Sequence, residues 1–244
     1  MDKQLIKKLS IPIIVLLIGL GIISLFTYIF VELGEDLLAH EIQLFDSSII
    51  EFLKTLETDT LDQIMIFITE LGSVWFLTTM SIFVVLALWF KAKDKWGITA
   101  FIVAIAGGGT ITKVLKHHYD RGRPSINPEI DAVGYSFPSG HSMGSLIFYG
   151  FAIYLVAKSK RSKPVKWCFA ILASFLIFLI GTSRAYLGAH FPSDVFAGFL
   201  AGFVWMTLCI LALEWAEWRT KYHIRPFRAI RNLFVQRFHD NPEK

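Results

Sequence analysis

Long apolar stretches separated by charged segments dominate the chain, and they set its predicted secondary structure. An α-helix needs about 20 consecutive, mostly apolar residues to cross the hydrocarbon core of a bilayer. Six stretches approach that length, at residues 9–31, 71–90, 97–119, 139–157, 167–186 and 192–213. The pattern therefore predicts an all-α fold, in which a polytopic membrane protein forms a bundle of six transmembrane helices.

The segments that flank the first apolar stretch carry further information. Lys3, Lys7 and Lys8 precede residues 9–31, as basic residues precede the apolar part of a signal peptide. The stretch is too long for that role and no small-residue cleavage site follows, so we expect a retained membrane anchor. Residues 35–56 place apolar side chains at helical spacing between acids, which predicts an amphipathic helix at the outer interface. A loop helix that only caps the bundle is an equally good interpretation.

Basic residues are distributed unevenly between the loops, and this predicts the orientation of the chain. Most of the 24 lysines and arginines lie near the N-terminus, in 91–95, in 158–166 and in the tail 215–244. Such segments favour the cytoplasmic side of a membrane. The alternate loops, among them 32–70 and 120–138, carry few lysines and many acids. We therefore expect both termini and the basic tail in the cytoplasm and these loops outside the cell.

Composition supports this picture and excludes other classes of protein. Hydrophobic residues make up 54% of the chain, more than is typical of soluble domains. The net charge of +4 fits attraction to anionic lipid head groups. No basic face is interleaved with stacking aromatic residues, so nucleic acid is a poor candidate partner. Without an internal repeat or a long linker, residues 1–244 are predicted to form a single domain.

Cysteines and glycine clusters are better explained by packing than by chemistry. Cys168 and Cys209 fall inside apolar segments, where we expect buried free thiols. The three glycines at 107–109 are not followed by the Lys-Ser or Lys-Thr pair of a phosphate-binding P-loop. Close helix packing is the preferred explanation for them, and also for Gly198 and Gly202, which have GxxxG spacing.

Ionisable and polar residues gather at the predicted outer ends of four apolar segments. A charged side chain inside a membrane is costly, and a single arginine near a helix end usually extends to the interface. Here, however, several such residues from three separate stretches fall at one depth, which independent surface charges would not do. The residues are Lys116, Arg123, Ser139, Gly140, His141, Arg184, His190 and Asp194.

Their order and spacing resemble the three-part signature of the type 2 phosphatidic acid phosphatase family. The motifs are Lys116 with six residues before Arg123-Pro124, then Pro138-Ser139-Gly140-His141, then Ser183-Arg184 with five residues before His190 and three before Asp194. They span about residues 113–198, and the six apolar segments extend the resemblance over most of the chain. The first 60 residues and the tail carry no motif.

The residue types suit phosphate even without the resemblance. A dianionic phosphate needs several fixed cations. The planar guanidinium groups of Arg123 and Arg184 match the geometry of phosphate oxygens, and Lys116 adds a positive charge. A helix that starts at Ser139 adds backbone N–H groups and the positive end of its dipole, and Gly140 lets an anion approach closely. Ser139 could bind a phosphate oxygen or only cap the helix.

The resemblance implies the catalytic roles. His190 resembles the family's nucleophile, which would form a phosphohistidine, with Asp194 holding its other ring nitrogen. His141 would protonate the leaving oxygen and then activate water. Few acids lie near the motifs, and Asp120, Glu129 and Asp131 show no convergent spacing, so neither a metal nor another cofactor is expected.

The expected substrate is a lipid phosphate such as phosphatidate, phosphatidylglycerophosphate or undecaprenyl pyrophosphate, with the site at the outer leaflet. Soluble vanadium haloperoxidases and acid phosphatases carry the same constellation, but six membrane segments argue against them. A transporter or scramblase with an inert phosphate site is the alternative from another class. No paired broken helices or inverted repeats favour it.

Overall fold

Helices account for most of the chain. A computed structural model describes residues 3–124 and 134–222, with the side chains of 3–13, 91–92 and 221–222 left aside. The helices are α1 (Lys3–Leu38), α2 (Gln43–Lys54), α3 (Asp59–Glu70), α4 (Val74–Ala87), α5 (Lys95–Tyr119), α6 (Gly140–Lys158), α7 (Lys163–Tyr186) and α8 (Pro192–Tyr222). A π-helical turn, Leu88–Ala92, extends α4. These described parts contain no strand, which confirms the predicted all-α class.

Five helical stretches within the described residues are long and apolar enough to cross a membrane. They are Ile14–Leu38, Lys95–Tyr119, Gly140–Lys158, Lys163–Tyr186 and Pro192–Thr220. The pair Asp59–Glu70 and Val74–Phe90 passes the same test together but is bent by 46° at its break. The described residues therefore contain five candidate spans, or six if the bent pair crosses as one, and the count of six stays a prediction.

The second apolar stretch, 71–90, is helical from Val74 onward, but it is preceded by a break and a further helix that the sequence analysis did not predict. Leu71–Ser73 form the break between α3 and α4, and the Ser73 hydroxyl accepts a hydrogen bond from the backbone N–H of Phe76. Helix α4 alone has 14 residues, about 21 Å of helix at 1.5 Å per residue, which is too short for the hydrocarbon core. The π-helical turn lengthens this helix to Ala92, and α3, which the sequence analysis did not predict, adjoins it across the bend.

Residues 35–56 do not form one continuous helix. The anchor helix α1 extends to Leu38, seven residues beyond the predicted end, and the chain then turns before α2 begins at Gln43. His40 lies in this turn with φ of 62°, a left-handed conformation that a helix cannot continue through. Only the second half of the stretch is therefore a separate helix, and its position at a membrane interface stays a prediction.

Helix α6 lies at the centre of the bundle and contacts α5, α7 and α8, while α1 packs on α8 and α3 on α7. Glycines allow the closest of these contacts. A Cβ atom on Gly198 would stand 2.6 Å from the carbonyl oxygen of Ser139, and one on Gly202 would stand 3.0 Å from that of Met143. The GxxxG pair thus brings the start of α8 against the start of α6, as the packing interpretation predicts.

In the other glycine cluster, residues 107–109, two glycines allow close packing and the third faces open space. A Cβ on Gly107 or Gly108 would collide with Trp205 or Ile147, whereas one on Gly109 would meet nothing within 4 Å. Gly107 and Gly108 therefore allow close helix contacts, and Gly109 leaves room in a groove beside α5.

The bundle has a small core and an apolar exterior, as expected of a protein in lipid. Phe101, Met143 and Phe151 are fully buried between α5, α6 and α8. Large apolar side chains on α7 face outward, among them Phe175, which is 58% exposed. Cys209 is buried as expected, but Cys168 is exposed, because it lies on this outward face of α7.

Candidate active site

The predicted site residues come together at one end of the bundle, where α5 and α7 end and α6 and α8 begin. Six of the eight line a single cavity of about 470 Å³: Lys116, Arg123, Gly140, His141, Arg184 and His190. Ser139 and Asp194 are fully buried behind this lining. The three motifs, separated by up to 78 residues of sequence from Lys116 to Asp194, thus form one site.

The first motif supplies two cations. Lys116 lies in the last turn of α5, and its ammonium group donates to the carbonyl oxygen of Tyr135. Arg123 follows the helix and is held by backbone carbonyl oxygens, among them those of Gly134, which accepts from its Nε at 2.9 Å, and Ala189, which accepts from its Nη1 at 2.7 Å. Fixed in this way, both cations face the cavity at little further cost in side-chain entropy when an anion binds.

Arg184 provides the third cation, in the last turn of α7, and is only 2% exposed. Its Nη1 donates to the hydroxyl of Thr69 on α3 at 2.9 Å. Its backbone carbonyl oxygen accepts from the N–H groups of Ala189 and His190 at 3.0 and 3.1 Å. Arg184 therefore joins α3 and the turn after α7 to the site, and the bent α3–α4 pair helps to position it.

The second motif forms the start of α6. Ser139 is the N-cap of this helix; its hydroxyl accepts from the N–H of Ser142 at 3.4 Å and from the Ser142 hydroxyl at 2.9 Å. This geometry favours the capping role over direct contact with an anion. A Cβ on Gly140 would lie 3.5 Å from Thr112 and 4.0 Å from Cε of Lys116. The missing side chain therefore leaves space beside a cation at a helix N-terminus, where an anion is favoured.

The third motif pairs a buried histidine with a buried carboxylate. Nδ1 of His190 lies 3.5 Å from Oδ2 of Asp194, which also accepts from the backbone N–H of Phe191 at 2.9 Å. Nε2 of His190 lies 3.3 Å from Nη1 of Arg123, on the cavity side. One ring nitrogen thus faces the carboxylate and the other faces the cations.

Burial lowers the pKa of His190 to about 4, and the positive charges of Arg184 and Arg123 act in the same direction. The nearby carboxylate of Asp194 opposes the shift without cancelling it. His190 is therefore a neutral imidazole at pH 7, with a lone pair available for reaction.

The far side of the cavity is apolar. From the cations it continues along a groove between α4 and α5, lined by Val74, Leu77, Ile105, Ala106 and Ile147 together with Gly108 and Gly109. His141, at the start of α6, lies near the α3–α4 break: a Cβ built on Gly72 in that break would be 3.4 Å from Cδ2 of His141. The site thus joins a cationic end to an apolar channel along the helices.

Two residues near the site escaped the sequence analysis. Arg121 donates to Oδ1 of Asp194 at 2.6 Å and to Oδ2 of Asp46 at 2.7 Å, and its guanidinium lies 3.9 Å from the ring centre of Phe191. Asp46, on α2, is only 2% exposed. A carboxylate four residues from Ile42 and Ile50 lies on the apolar face of its helix, and that signal could have identified it.

Of the three acids that the sequence analysis considered for a metal, only Asp120 lies in the described parts of the chain. Asp120 ends α5 in a left-handed conformation, whereas Glu129 and Asp131 lie outside the described residues. Among the described residues, no group of three histidine, cysteine, aspartate or glutamate side chains is arranged to hold a metal ion.

Known proteins are similar to this chain in sequence and in fold. Phosphatidylglycerophosphatase B of Bacillus subtilis is 31% identical over 185 residues, covering 74% of this chain and 88% of that protein. An undecaprenyl-diphosphatase of Sulfolobus acidocaldarius is 34% identical over 166 residues, covering 64% and 71%. The crystal structure of a transmembrane PAP2 type phosphatidylglycerolphosphate phosphatase from Bacillus subtilis superposes with a TM-score of 0.72 at 28% identity, covering 77% and 94%.

A sequence model described as PAP2 superfamily matches residues 97–218, half of the chain. That segment contains all three motifs, the whole of α6 and α7, and most of α5 and α8. The match confirms the resemblance to the type 2 phosphatidic acid phosphatases that the motif spacing indicates. The chain therefore belongs to the PAP2 superfamily.

Proposed function

We propose that this protein is an integral membrane lipid phosphatase, which hydrolyses a phosphomonoester or a diphosphate of a lipid through a phosphohistidine intermediate. One observation carries the proposal: a single cavity joins three cations and two histidines to an apolar groove between α4 and α5. A soluble phosphate ester would need only the cationic end. The groove offers a place for hydrocarbon, so the whole cavity suits a lipid with a phosphate head.

Relatives support a substrate of this class. The names of the two proteins compared above specify phosphatidylglycerophosphate and undecaprenyl diphosphate as their substrates. Several apolar helices and these relatives identify the chain as a multi-pass membrane protein. We propose that its substrate is phosphatidate, phosphatidylglycerophosphate or undecaprenyl pyrophosphate.

In the first step, Nε2 of His190 attacks phosphorus, and the bond from phosphorus to the lipid oxygen breaks. Asp194 accepts a hydrogen bond from Nδ1–H, which fixes the tautomer and stabilises the positive charge that develops on the ring. Lys116, Arg123 and Arg184 stabilise the negative charge on the phosphoryl oxygens of the transition state. Because these groups are already held in place, little reorganisation is needed during the reaction.

In the second step, water replaces the histidine. During the first step, His141 gives a proton to the lipid oxygen as it leaves and thereby becomes a base. It then removes a proton from water, whose oxygen attacks phosphorus as the bond from phosphorus to Nε2 breaks. Inorganic phosphate leaves, and both histidines return to their starting states. When the substrate is a lipid diphosphate, the lipid product retains one phosphate.

The proposal is tested by measuring phosphate release from the three candidate lipids by the purified protein in detergent. We expect hydrolysis of at least one of them, and inhibition by vanadate, which adopts five-coordinate geometry like that of the transition state. Phosphate-dependent binding of these lipids without any release of phosphate would instead favour the transporter or scramblase class.

Chelation should leave hydrolysis largely intact. Three cationic side chains line the cavity, and they can supply the positive charge that Mg²⁺ brings to many phosphoryl transfers. The assay uses a soluble short-chain lipid phosphate, so that metal effects on lipid aggregation do not interfere. Activity that EDTA abolishes and Mg²⁺ restores would contradict a metal-independent mechanism.

Replacing Gly140 by alanine should weaken substrate binding without disturbing the fold. The new methyl group meets only ordinary contacts with Thr112 and Lys116, but it occupies the space proposed for a phosphate oxygen. We expect KM to rise about tenfold, equivalent to about 1.4 kcal/mol of lost binding. Gly21→Ala is the matched control, because a Cβ on this exposed residue of α1 meets nothing within 4 Å and Gly21 does not line the cavity. An unchanged KM in Gly140→Ala would contradict the placement of phosphate.

The active site is proposed to face outside the cell, with both termini in the cytoplasm. Ser48 on α2 is exposed near the site end, and Ser162, between α6 and α7, is exposed at the opposite end. In a background without Cys168 and Cys209, Ser48→Cys should react with an impermeant thiol reagent on intact cells. Ser162→Cys should react only after lysis. The reverse pattern would place the site in the cytoplasm.

A further inference from the structure

The carboxylate behind the proposed nucleophile is itself held by an arginine. Asp194 is fully buried; its Oδ2 faces His190, and its Oδ1 accepts from Nη1 of Arg121 at 2.6 Å. Arg121 is not among the residues that line the cavity around His190. An arginine this close to a carboxylate orients it, but its positive charge also offsets the negative charge that a developing histidine cation needs.

A second buried carboxylate shares this arginine. Nη2 of Arg121 donates to Oδ2 of Asp46 at 2.7 Å, so the two ends of the guanidinium bind two different carboxylates. Asp46 also accepts from Ser193, through the backbone N–H at 2.9 Å and the hydroxyl at 2.7 Å. Helix α2 is thereby tied to the start of α8, next to the residue that faces His190.

We propose that Asp46 is a positioning residue for the reaction, acting on Asp194 and His190 through Arg121. The two carboxylates and one guanidinium leave the cluster with a net negative charge, so Asp194 can still stabilise positive charge on His190. Without Asp46, the Asp194–Arg121 pair would be neutral overall, and the field at His190 would weaken. The inference rests on the proposed function of His190 and concerns a residue outside the segment 97–218 that the superfamily model matches.

Removing the charge of Asp46 should slow the chemical step and leave substrate binding unchanged. Asp46 does not line the cavity that holds the cations, so Asp46→Asn should lower kcat about tenfold and leave KM within about twofold. Asp62→Asn is the matched control, because this carboxylate ties α3 to α7 through the Tyr186 hydroxyl at 2.6 Å. It anchors another outer helix without contacting Asp194, and its kcat should stay within about twofold of wild type.

A double-mutant cycle separates action through Arg121 from a merely structural role. If Asp46 acts through the arginine, then Asp46→Asn in an Arg121→Gln background should change kcat by less than about twofold, because the charge that it balances is gone. If Asp46 only anchors α2 to Ser193, the same tenfold loss should appear in both backgrounds, and that result would overturn the proposal. A rise in KM without a fall in kcat would overturn it as well.

Asp46→Asn and Arg121→Gln each remove a charge from this cluster and could prevent folding, so Arg121→Lys provides a second test that keeps the charge. A lysine retains the positive charge, but its single ammonium group lacks the planar fork that spans two carboxylates. We expect kcat to fall about fivefold with KM within about twofold, in protein that is monodisperse by size-exclusion chromatography. Full kcat in Arg121→Lys would show that the bridge to Asp46 is not needed. An inactive wild-type enzyme, or an active His190→Ala variant, would instead refute the proposed function itself.

Discussion

Replacing His190 by alanine is expected to lower lipid phosphate hydrolysis by about four orders of magnitude or more, because a covalent route has no substitute for its nucleophile. The cations proposed to bind phosphate are anchored by other groups: Arg123 by Ala189 and Gly134, and Arg184 by Thr69. The variant should therefore still bind vanadate. Hydrolysis of a short-chain lipid phosphate and vanadate binding, measured on the same preparation, check both parts.

His117→Ala is the matched control for this substitution. His117 lies three residues before Asp120 on the exposed side of α5, its Nδ1 is 2.7 Å from the carbonyl oxygen of Lys113, and it does not line the cavity. Its activity should stay within about twofold of wild type. If His190→Ala retained a tenth or more of wild-type turnover, another group would have to be the nucleophile.

Replacing His141 by glutamine is expected to give the second-largest effect, and one that depends on the leaving group. Loss of a general acid and base costs about 10²- to 10⁴-fold for an alkoxide that must be protonated as it leaves. A p-nitrophenyl phosphate leaving group needs no such proton, so the first step should survive while attack by water remains slow. A burst of p-nitrophenolate followed by slow turnover is the expected result.

The comparison of the two substrates decides the role of His141. Equal losses of kcat for the lipid phosphate and for p-nitrophenyl phosphate, without a burst, would contradict its role as an acid and a base. They would indicate that His141 acts on the nucleophile or on phosphate binding. Its place in the cavity with His190 would then need another chemical explanation.

The helical class and most helix positions could be predicted, because a helix that crosses a bilayer needs a long apolar run and the loops between such helices are charged. Helix ends and short polar helices were not predicted. The helix predicted for 71–90 is present from Val74 onward, but the break that Ser73 caps was missed, and so was α3, whose acids mask its contribution to a span. The turn around His40, which separates α2 from α1, has no glycine or proline to mark it.

The convergence of the motif residues could be predicted from the sequence, because each motif lies at a helix end and successive helices run in opposite directions. His141 and His190 therefore had to fall at the same end of the bundle. The role of Ser139 was left open, and only the geometry shows that its hydroxyl accepts from Ser142 and caps α6. Three-dimensional contacts within one turn cannot be read from spacing alone.

The Arg121–Asp46 bridge could not be predicted from the motifs. Arg121 lies two residues before Arg123, where alternation alone cannot tell which of the two faces the cavity. Asp46 is separated from Arg121 by 75 residues, and the sequence around Asp46 does not indicate which residue it pairs with. The available signal was a carboxylate on an apolar helix face, which requires a buried partner without identifying it.

The most direct test of the account is to trap the phosphorylated enzyme. His141→Gln protein is mixed with ³²P-labelled p-nitrophenyl phosphate and quenched in alkali, and the labelled peptide is sequenced. We predict label on His190 that is stable in alkali and lost in acid, as expected of a phosphoramidate, and no label in the His190→Ala/His141→Gln variant. Label on a different residue, or turnover without any trapped label, would contradict a phosphohistidine at His190.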